Sequence, residues 1–280
     1  MTTIDEKAQL FHGLHRNGEP VILANAWDVA SARVVEDAGA AAVATTSAGV
    51  AWSLGVPDGD QLSRDRALAV VARVAAAVRV PVTADIENGF AEKPEGVAET
   101  VRGVLDAGAV GINLEDAVYT EAGAQLRSIT DQAERIAAAR QAADAAGVEL
   151  FINARIDTYL RAVGDPAKRL DATLERAAAF VTAGACGVFV PGVTDPATVS
   201  ALVAGLNVPL NILAGPGAPP IPALAALGVA RVSLGSSIAQ AAYDLAQRAA
   251  REAFTTGTYE SLDRSLDYQQ LNALLARHGD

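Results

Sequence analysis

Alanine-rich stretches with helical spacing alternate along this chain with short, continuous apolar runs, and a glycine marks most of the joins. The joins read Asp37-Ala-Gly-Ala40, Asp106-Ala-Gly-Ala109, Ala145-Ala-Gly-Val148, Thr182-Ala-Gly-Ala185 and Ala226-Leu-Gly-Val229. Glycine just past a helix takes the left-handed position that ends it, and an unbroken apolar run then suits a strand buried on both faces. The pattern predicts strands near 21–25, 41–46, 81–86, 110–115, 149–154, 187–191, 209–213 and 230–234, each followed by a helical stretch. Asp165-Pro166 and Asp195-Pro196 place a capping acid before a proline at the first helical position. Eight such units in about 250 residues are the arithmetic of a TIM (β/α)8 barrel, an α/β fold. An open doubly wound sheet is the alternative, but no G-x-G-x-x-G follows the first strand. No linker is apparent, so residues 1–280 are expected to form one barrel domain. Residues 259–277 add a further C-terminal helix, with Leu262, Leu266, Leu271, Leu274 and Leu275 at helical spacing. Its apolar stripe needs a partner, either a neighbouring subunit or its own barrel.

Composition narrows the setting. The 280 residues carry a formal net charge of -11 with basic residues scattered singly, which argues against a nucleic-acid or membrane partner. Residues 196–230 hold no charge at all, yet Gly205, Pro209 and the 215–220 Gly/Pro cluster interrupt any membrane span. One cysteine, Cys186, precludes an intramolecular disulfide, and no apolar leader opens the chain; a cytoplasmic location is expected.

The candidate chemistry sits at the predicted strand ends. In Pro81-Val-Thr-Ala-Asp-Ile-Glu-Asn-Gly89, Asp85 and Glu87 share one face; Asn113 and Glu115 repeat the arrangement in Val110-Gly-Ile-Asn-Leu-Glu-Asp116. Carboxylates desolvated together call for a cation, and an all-oxygen set suits Mg²⁺ or Mn²⁺. The same mouth would collect Asn25, Asp28, Thr45, Thr46, Ser47, Asn153, Arg155, Asp157, Asn211, Ser233 and Ser236; Asp28, Asp116 and Asp157 have helix capping as their plainer role. Three histidines (His12, His15, His278) and three lysines, all outside predicted strand interiors, leave no triad, zinc site or Schiff-base lysine in view. Lewis-acid chemistry remains. A divalent cation would polarise a carbonyl, Arg155 would add positive charge, and the Thr46–Ala48 segment would hold a carboxylate, together stabilising the enolate of a 2-oxo acid.

The blocks Ala44-Thr-Thr-Ser47, Leu54-Gly-Val-Pro-Asp58, 81–89, Gly111–Asp116 and Asn153-Ala-Arg-Ile-Asp157, with their spacing, resemble the isocitrate lyase/phosphoenolpyruvate mutase superfamily over almost the whole chain. The resemblance implies a barrel with Mg²⁺ at its mouth and a homo-oligomer, dimer or tetramer, that exchanges its C-terminal helix. It implies Asp85 as the direct metal ligand and Asp58, Glu87 and Glu115 as holders of metal-bound water. Thr46, Ser47 and Ala48 would cradle the substrate carboxylate and Arg155 would contact the enolate oxygen, with Asp85 also facing substrate; apart from the resemblance, Asn211 at the seventh strand end, Trp27 and Trp52 are candidates to line the substrate pocket. Two departures stand out. The usual Asp-x-Asp is Asp85-Ile86-Glu87 here. The Lys-Lys/Arg-Cys-Gly-His loop of the isocitrate and methylisocitrate lyases is replaced by Val118–Ser128, without Cys or His. On that segment, read as a mobile lid, Tyr119, Glu121 or Arg127 would replace the missing acid, with Glu115 beside Arg155 in the catalytic set.

The expected activity is therefore Mg²⁺-dependent cleavage of a C–C bond in a small 2-oxo or 2-hydroxy polycarboxylic acid. Oxaloacetate decarboxylation or hydrolysis, and P–C chemistry on phosphonopyruvate, share the same enolate scheme. A barrel that binds a 2-oxo acid without turning it over is the non-enzymatic alternative. A phosphate site at Gly215-Pro-Gly217 and Ser233–Ser237 ranks below these.

Overall fold

The computed structural model describes residues 3–120 and 123–276. Eight parallel strands form one sheet: β1 (Val21–Leu23), β2 (Val43–Ala44), β3 (Val82–Asp85), β4 (Gly111–Glu115), β7 (Phe151–Arg155), β8 (Gly187–Phe189), β9 (Leu210–Leu213) and β10 (Arg231–Ser233). Their order is β1-β10-β9-β8-β7-β4-β3-β2. A parallel bridge between Ala26 and Thr45 joins the two ends, through Ala26 N–H to the Ala44 carbonyl at 2.8 Å and Thr46 N–H to the Ala26 carbonyl at 3.0 Å. The result is a nearly closed TIM barrel with helices outside; seven of its strands fall within the stretches the apolar runs predicted, and β7 runs one residue past its stretch, to Arg155.

The barrel's lower end is stoppered by an unpredicted N-terminal helix, Ile4–Gly13. Thr3 caps it, accepting from Glu6 N–H at 3.2 Å while the Glu6 carboxylate accepts from Thr3 N–H. Its buried Phe11 lies against the first residues of β4 and β7, where a Cβ on Gly111 would stand 2.7 Å from the Phe11 ring. His15 stacks on Phe151 with ring centroids 3.8 Å apart. At the upper end, the strand following β4 turns back on itself: β5 (Ala117–Thr120) and β6 (Gly123–Leu126) form an antiparallel hairpin separate from the barrel sheet. The predicted mobile lid is thus a paired hairpin, with Val118 opposite Gln125. Its residues 121–122 lie outside the described set.

Asp195 caps the Pro196–Gly205 helix as expected, accepting from Thr198 N–H at 2.9 Å. Asp165 instead heads a 3-10 turn, Pro166–Lys168, that leads into the helix Arg169–Thr182. Within the predicted 259–277 stretch, the structure shows a 3-10 turn at Glu260–Leu262 and a helix over Tyr268–Ala276; residue 277 is not described. The helix begins late because Asp267 accepts from the Gln269 and Gln270 N–H groups, a local cap that outweighs the leucine spacing. It packs on the chain's own Val29–Asp37 helix, where Arg33 donates to the Leu274 carbonyl. Among the described residues no helix is long and apolar enough to cross a membrane.

Candidate active site

The upper strand ends bring the acidic residues together, as the period-two pattern of β3 and β4 requires. Asp85 closes β3; its N–H donates to Thr45 Oγ1 (3.0 Å) and its Oδ2 accepts from Ser47 N–H (3.3 Å). Its other oxygen, Oδ1, is buried without a hydrogen-bond partner. Asp58 lies close by, and its carboxyl is pushed up by burial and by the Asp85 charge. Glu87 is 2% exposed and sits in the left-handed region at φ 50°. Its Oε2 accepts from Asp60 N–H at 2.6 Å. Burial, then the charges of Asp85, Asp58 and Asp60, raise Glu87 to about 7. Burial and the neighbouring carboxylates raise Asp58 and Glu87, and the Arg155 charge offsets this only in part at Asp58; a bound cation would relieve it.

A second array stands beside the first. Glu115, 1% exposed at the end of β4, forms an ion pair with Arg155 Nη1 at 2.6 Å. Asp157 takes a bidentate pair from the same guanidinium, at 2.6 Å to Nε and 2.8 Å to Nη2, and also faces Arg161 Nε at 3.2 Å. Burial opposes charge on Arg155, but Glu115, Asp157 and Asp85 outweigh it and keep the group protonated. Asp116 accepts from Asp157 N–H (2.9 Å) and Arg176 Nη1 (3.0 Å), and burial raises its carboxyl to about 6. Asp116 and Asp157 therefore orient the arginines and cap no helix. Asp28 does cap one, accepting from Ser31 N–H at 2.7 Å.

Other expected residues divide. Thr46 is the cap residue of the short helix Ser47–Ser53, on which Ala48 is buried; the Ser47 amide already serves Asp85. Asn211 lines the barrel interior, accepting from Ser233 Oγ at 3.2 Å, with its amide nitrogen unpartnered. Asn25 ties the seam, donating to the Thr45 carbonyl and accepting from the Leu234 and Gly235 N–H groups. Trp52 meets Tyr243 edge-on at 6.3 Å, and Trp27 packs behind with Val50 and Leu62. Beneath the hairpin a cleft of about 770 Å³ runs past Asp60, Asn88, Val118 and Arg127. Arg127 pairs with Asp131 at 3.1 Å. Nothing is described of the Tyr119 side chain, and Glu121 lies outside the described residues.

Sequence reasoning missed three groups. Arg231, fully buried inside the barrel, donates through Nη2 to Asn113 Oδ1 (3.1 Å), which also accepts from Asn153 Nδ2 (2.9 Å). The signal was available, since Arg231 shares a strand face with Ser233 in an otherwise apolar run. Asp60 and Asn88 were the others, joined by an Asn88 Nδ2 to Asp60 Oδ2 bond; nothing in their local pattern marks them.

The donor set fits a divalent cation. Among the described residues no three acidic, histidine or cysteine side chains form a closed cage. Mg²⁺ needs none, because it keeps several waters and takes one or two carboxylates. The unpartnered Asp85 Oδ1 is the atom available for direct ligation.

The family model described as phosphoenolpyruvate phosphomutase matches residues 11–254. The uncharacterized protein Rv1998c of Mycobacterium tuberculosis is 40% identical over 266 residues, 95% of each chain. A crystal structure of a candidate lyase/mutase from Burkholderia cenocepacia J2315 superposes with a TM-score of 0.90 at 38% identity, over 98% of this chain and 96% of that one. The 2-methylisocitrate lyase of Escherichia coli is 31% identical over 183 residues, 64% of this chain and 60% of the relative. The matched span carries every strand end described above, and the chain belongs to the phosphoenolpyruvate phosphomutase family, as an enzyme of the isocitrate lyase/phosphoenolpyruvate mutase superfamily.

Proposed function

We propose that this enzyme is a Mg²⁺-dependent lyase, with Mn²⁺ able to substitute, that breaks a C–C bond in a small 2-oxo or 2-hydroxy polycarboxylic acid. The observation that carries the reading is the unpartnered, buried Asp85 Oδ1 in a mouth shared with the fixed, positively charged Arg155. Asp85 would hold the cation directly, and Asp58, Glu87 and Glu115 would hold its waters. When bound, the cation supplies Lewis-acid polarisation of the substrate carbonyl.

The remaining work falls to the chain's own groups. The Thr46–Ala48 segment receives the substrate carboxylate, and Asn211 offers its free amide N–H to a polar substrate group. Arg155 donates to the oxygen that becomes negative as the bond breaks; Glu115 and Asp157 hold its fork in place, so little reorganisation is needed at that moment. The proton for the departing carbon is assigned to the hairpin, to Tyr119 or Glu121, since no Cys or His occurs there. A second reading is decarboxylation or hydrolysis of oxaloacetate, in which the departing enolate carbon would take its proton from the same hairpin or from water. Loss of CO₂ from a 2-oxo acid requires no base to deprotonate a substrate hydroxyl.

We further propose that the chain works as one barrel domain in a homo-oligomer and, with its unpaired Cys186, in the cytoplasm. The test of the site is a thermal melt with oxalate, an enolate mimic, with and without Mg²⁺. A rise in melting temperature that needs both components is expected, because ligand binding only the native state stabilises it. Asp85→Ala should lose that rise and all turnover while melting cooperatively. Full activity in Asp85→Ala defeats the reading, and phosphate release from phosphonopyruvate replaces it with P–C chemistry.

A further inference from the structure

Glu87 stands on an unusual piece of backbone. Within four residues, Glu87 (φ 50°), Gly89 (φ 91°) and Phe90 (φ 51°) all adopt the left-handed region, a strained conformation for the two non-glycine residues. Such a turn persists only where its surroundings over-determine it. What surrounds it is Arg135, fully buried on the helix Ile129–Ala145. Arg135 donates through Nη2 to the Asn88 and Ala91 carbonyls, the latter at 2.8 Å, and through Nη1 to the Glu92 carbonyl at 2.9 Å. Among the described residues it pairs with no carboxylate, and burial draws its pKa down to about 10. A buried charge devoted wholly to three carbonyls of one loop is costly for mere packing.

The loop in turn carries its neighbours. Thr100 Oγ1 adds a bond to the Gly89 carbonyl at 2.8 Å, and Glu115 N–H donates to the Glu87 carbonyl at 2.9 Å. Asn88 and Glu87 both hold Asp60, two residues beyond Asp58. A line of direct bonds therefore runs from Arg135 to the acidic side chains at the mouth. We propose that Arg135 is a positioning residue for the cation site, clamping the 87–92 loop so that Glu87, and through Asp60 also Asp58, face the ion bound by Asp85. This inference rests on the metal reading above. Lysine cannot replace the clamp, because its single nitrogen lacks the planar fork that serves three carbonyls at once.

The experiment is Mn²⁺ binding followed by electron paramagnetic resonance, without substrate, in the wild type, Arg135→Lys and Arg135→Met, with circular dichroism and melting curves alongside. Groups that orient metal ligands typically contribute about 10–100-fold in affinity. Arg135→Lys is expected to stay folded and bind Mn²⁺ more weakly by about that factor, with Arg135→Met weaker still. A folded Arg135→Lys with wild-type affinity overturns the inference and leaves the metal reading standing. Loss of fold in Arg135→Lys also overturns it, by making Arg135 a general core residue. Absence of Mn²⁺ binding in the wild type overturns the metal reading and this inference with it.

Discussion

His15 shows how a single buried side chain sets a pH limit. Its Nδ1 bonds to the Phe11 carbonyl at 2.8 Å, while burial and then the Arg231 charge lower its pKa from 6.5 to about 3. The unfolded chain takes a proton near 6.5 that the folded chain refuses until about 3. The stability His15 permits is thus complete above pH 6.5 and is lost as pH falls toward 3. Between about pH 7.5 and about pH 5 the loss amounts to about 2 kcal/mol. Glu87 acts with the opposite sign, since its carboxyl is raised from 4.5 to about 7 and stability declines as pH rises through that window. The comparison that isolates His15 is therefore wild type against His15→Leu by chemical denaturation at both pH values. The variant should lack the acid loss, and equal slopes in the two proteins would refute the assignment.

Among the elements, the hairpin of β5 and β6 is separable from the barrel. It hydrogen-bonds within its own two-stranded sheet and is tied at its base by Arg127 N–H to the Asp116 carbonyl at 2.8 Å. Excising such an element removes little of the core, because loop closure depends only weakly on length. Replacing residues 118–125 with a short Gly-Ser link should shift the melting temperature by only a few degrees. Turnover should fall by about 10²-fold or more, the scale of a lost proton donor. Unchanged turnover would move the donor elsewhere in the mouth. The barrel strands offer no such freedom: Asn25, Asn113, Asn153, Asn211, Arg231 and Ser233 are all buried, and their hydrogen bonds reach across neighbouring strands.

Over the whole molecule, the apolar surface is uneven. Phe254 (87% exposed), Tyr259, Leu266 and Tyr268 all fall in the last 27 residues, and the helix Ser237–Thr255 that carries Phe254 also exposes Tyr243 and buries only Ala239. An exposed set of this kind asks for cover, and a second copy of the chain is the expected source. Sedimentation equilibrium should give a mass that is a multiple of 28.7 kDa, and Phe254→Glu with Tyr268→Glu should shift it toward the monomer. A monomeric wild type would contradict this.

Much of this was legible in the sequence, because local physics determined it. Apolar runs, five of them entered through a glycine helix stop, located all eight barrel strands, and period-two spacing put Asp85 with Glu87 and Asn113 with Glu115 on shared faces. What local pattern could not decide was pairing across the fold. Whether Asp116 and Asp157 capped helices or held arginines depended on Arg155, Arg161 and Arg176, up to 60 residues away. The hairpin went unseen because its few alternating residues resemble a loop until they meet each other. The clamp on the 87–92 loop lay furthest out of reach: Arg135 sits on a helix whose spacing marks only its amphipathic face. Its role exists because the tertiary fold buries its charge beside three carbonyls that have no other donor of that strength.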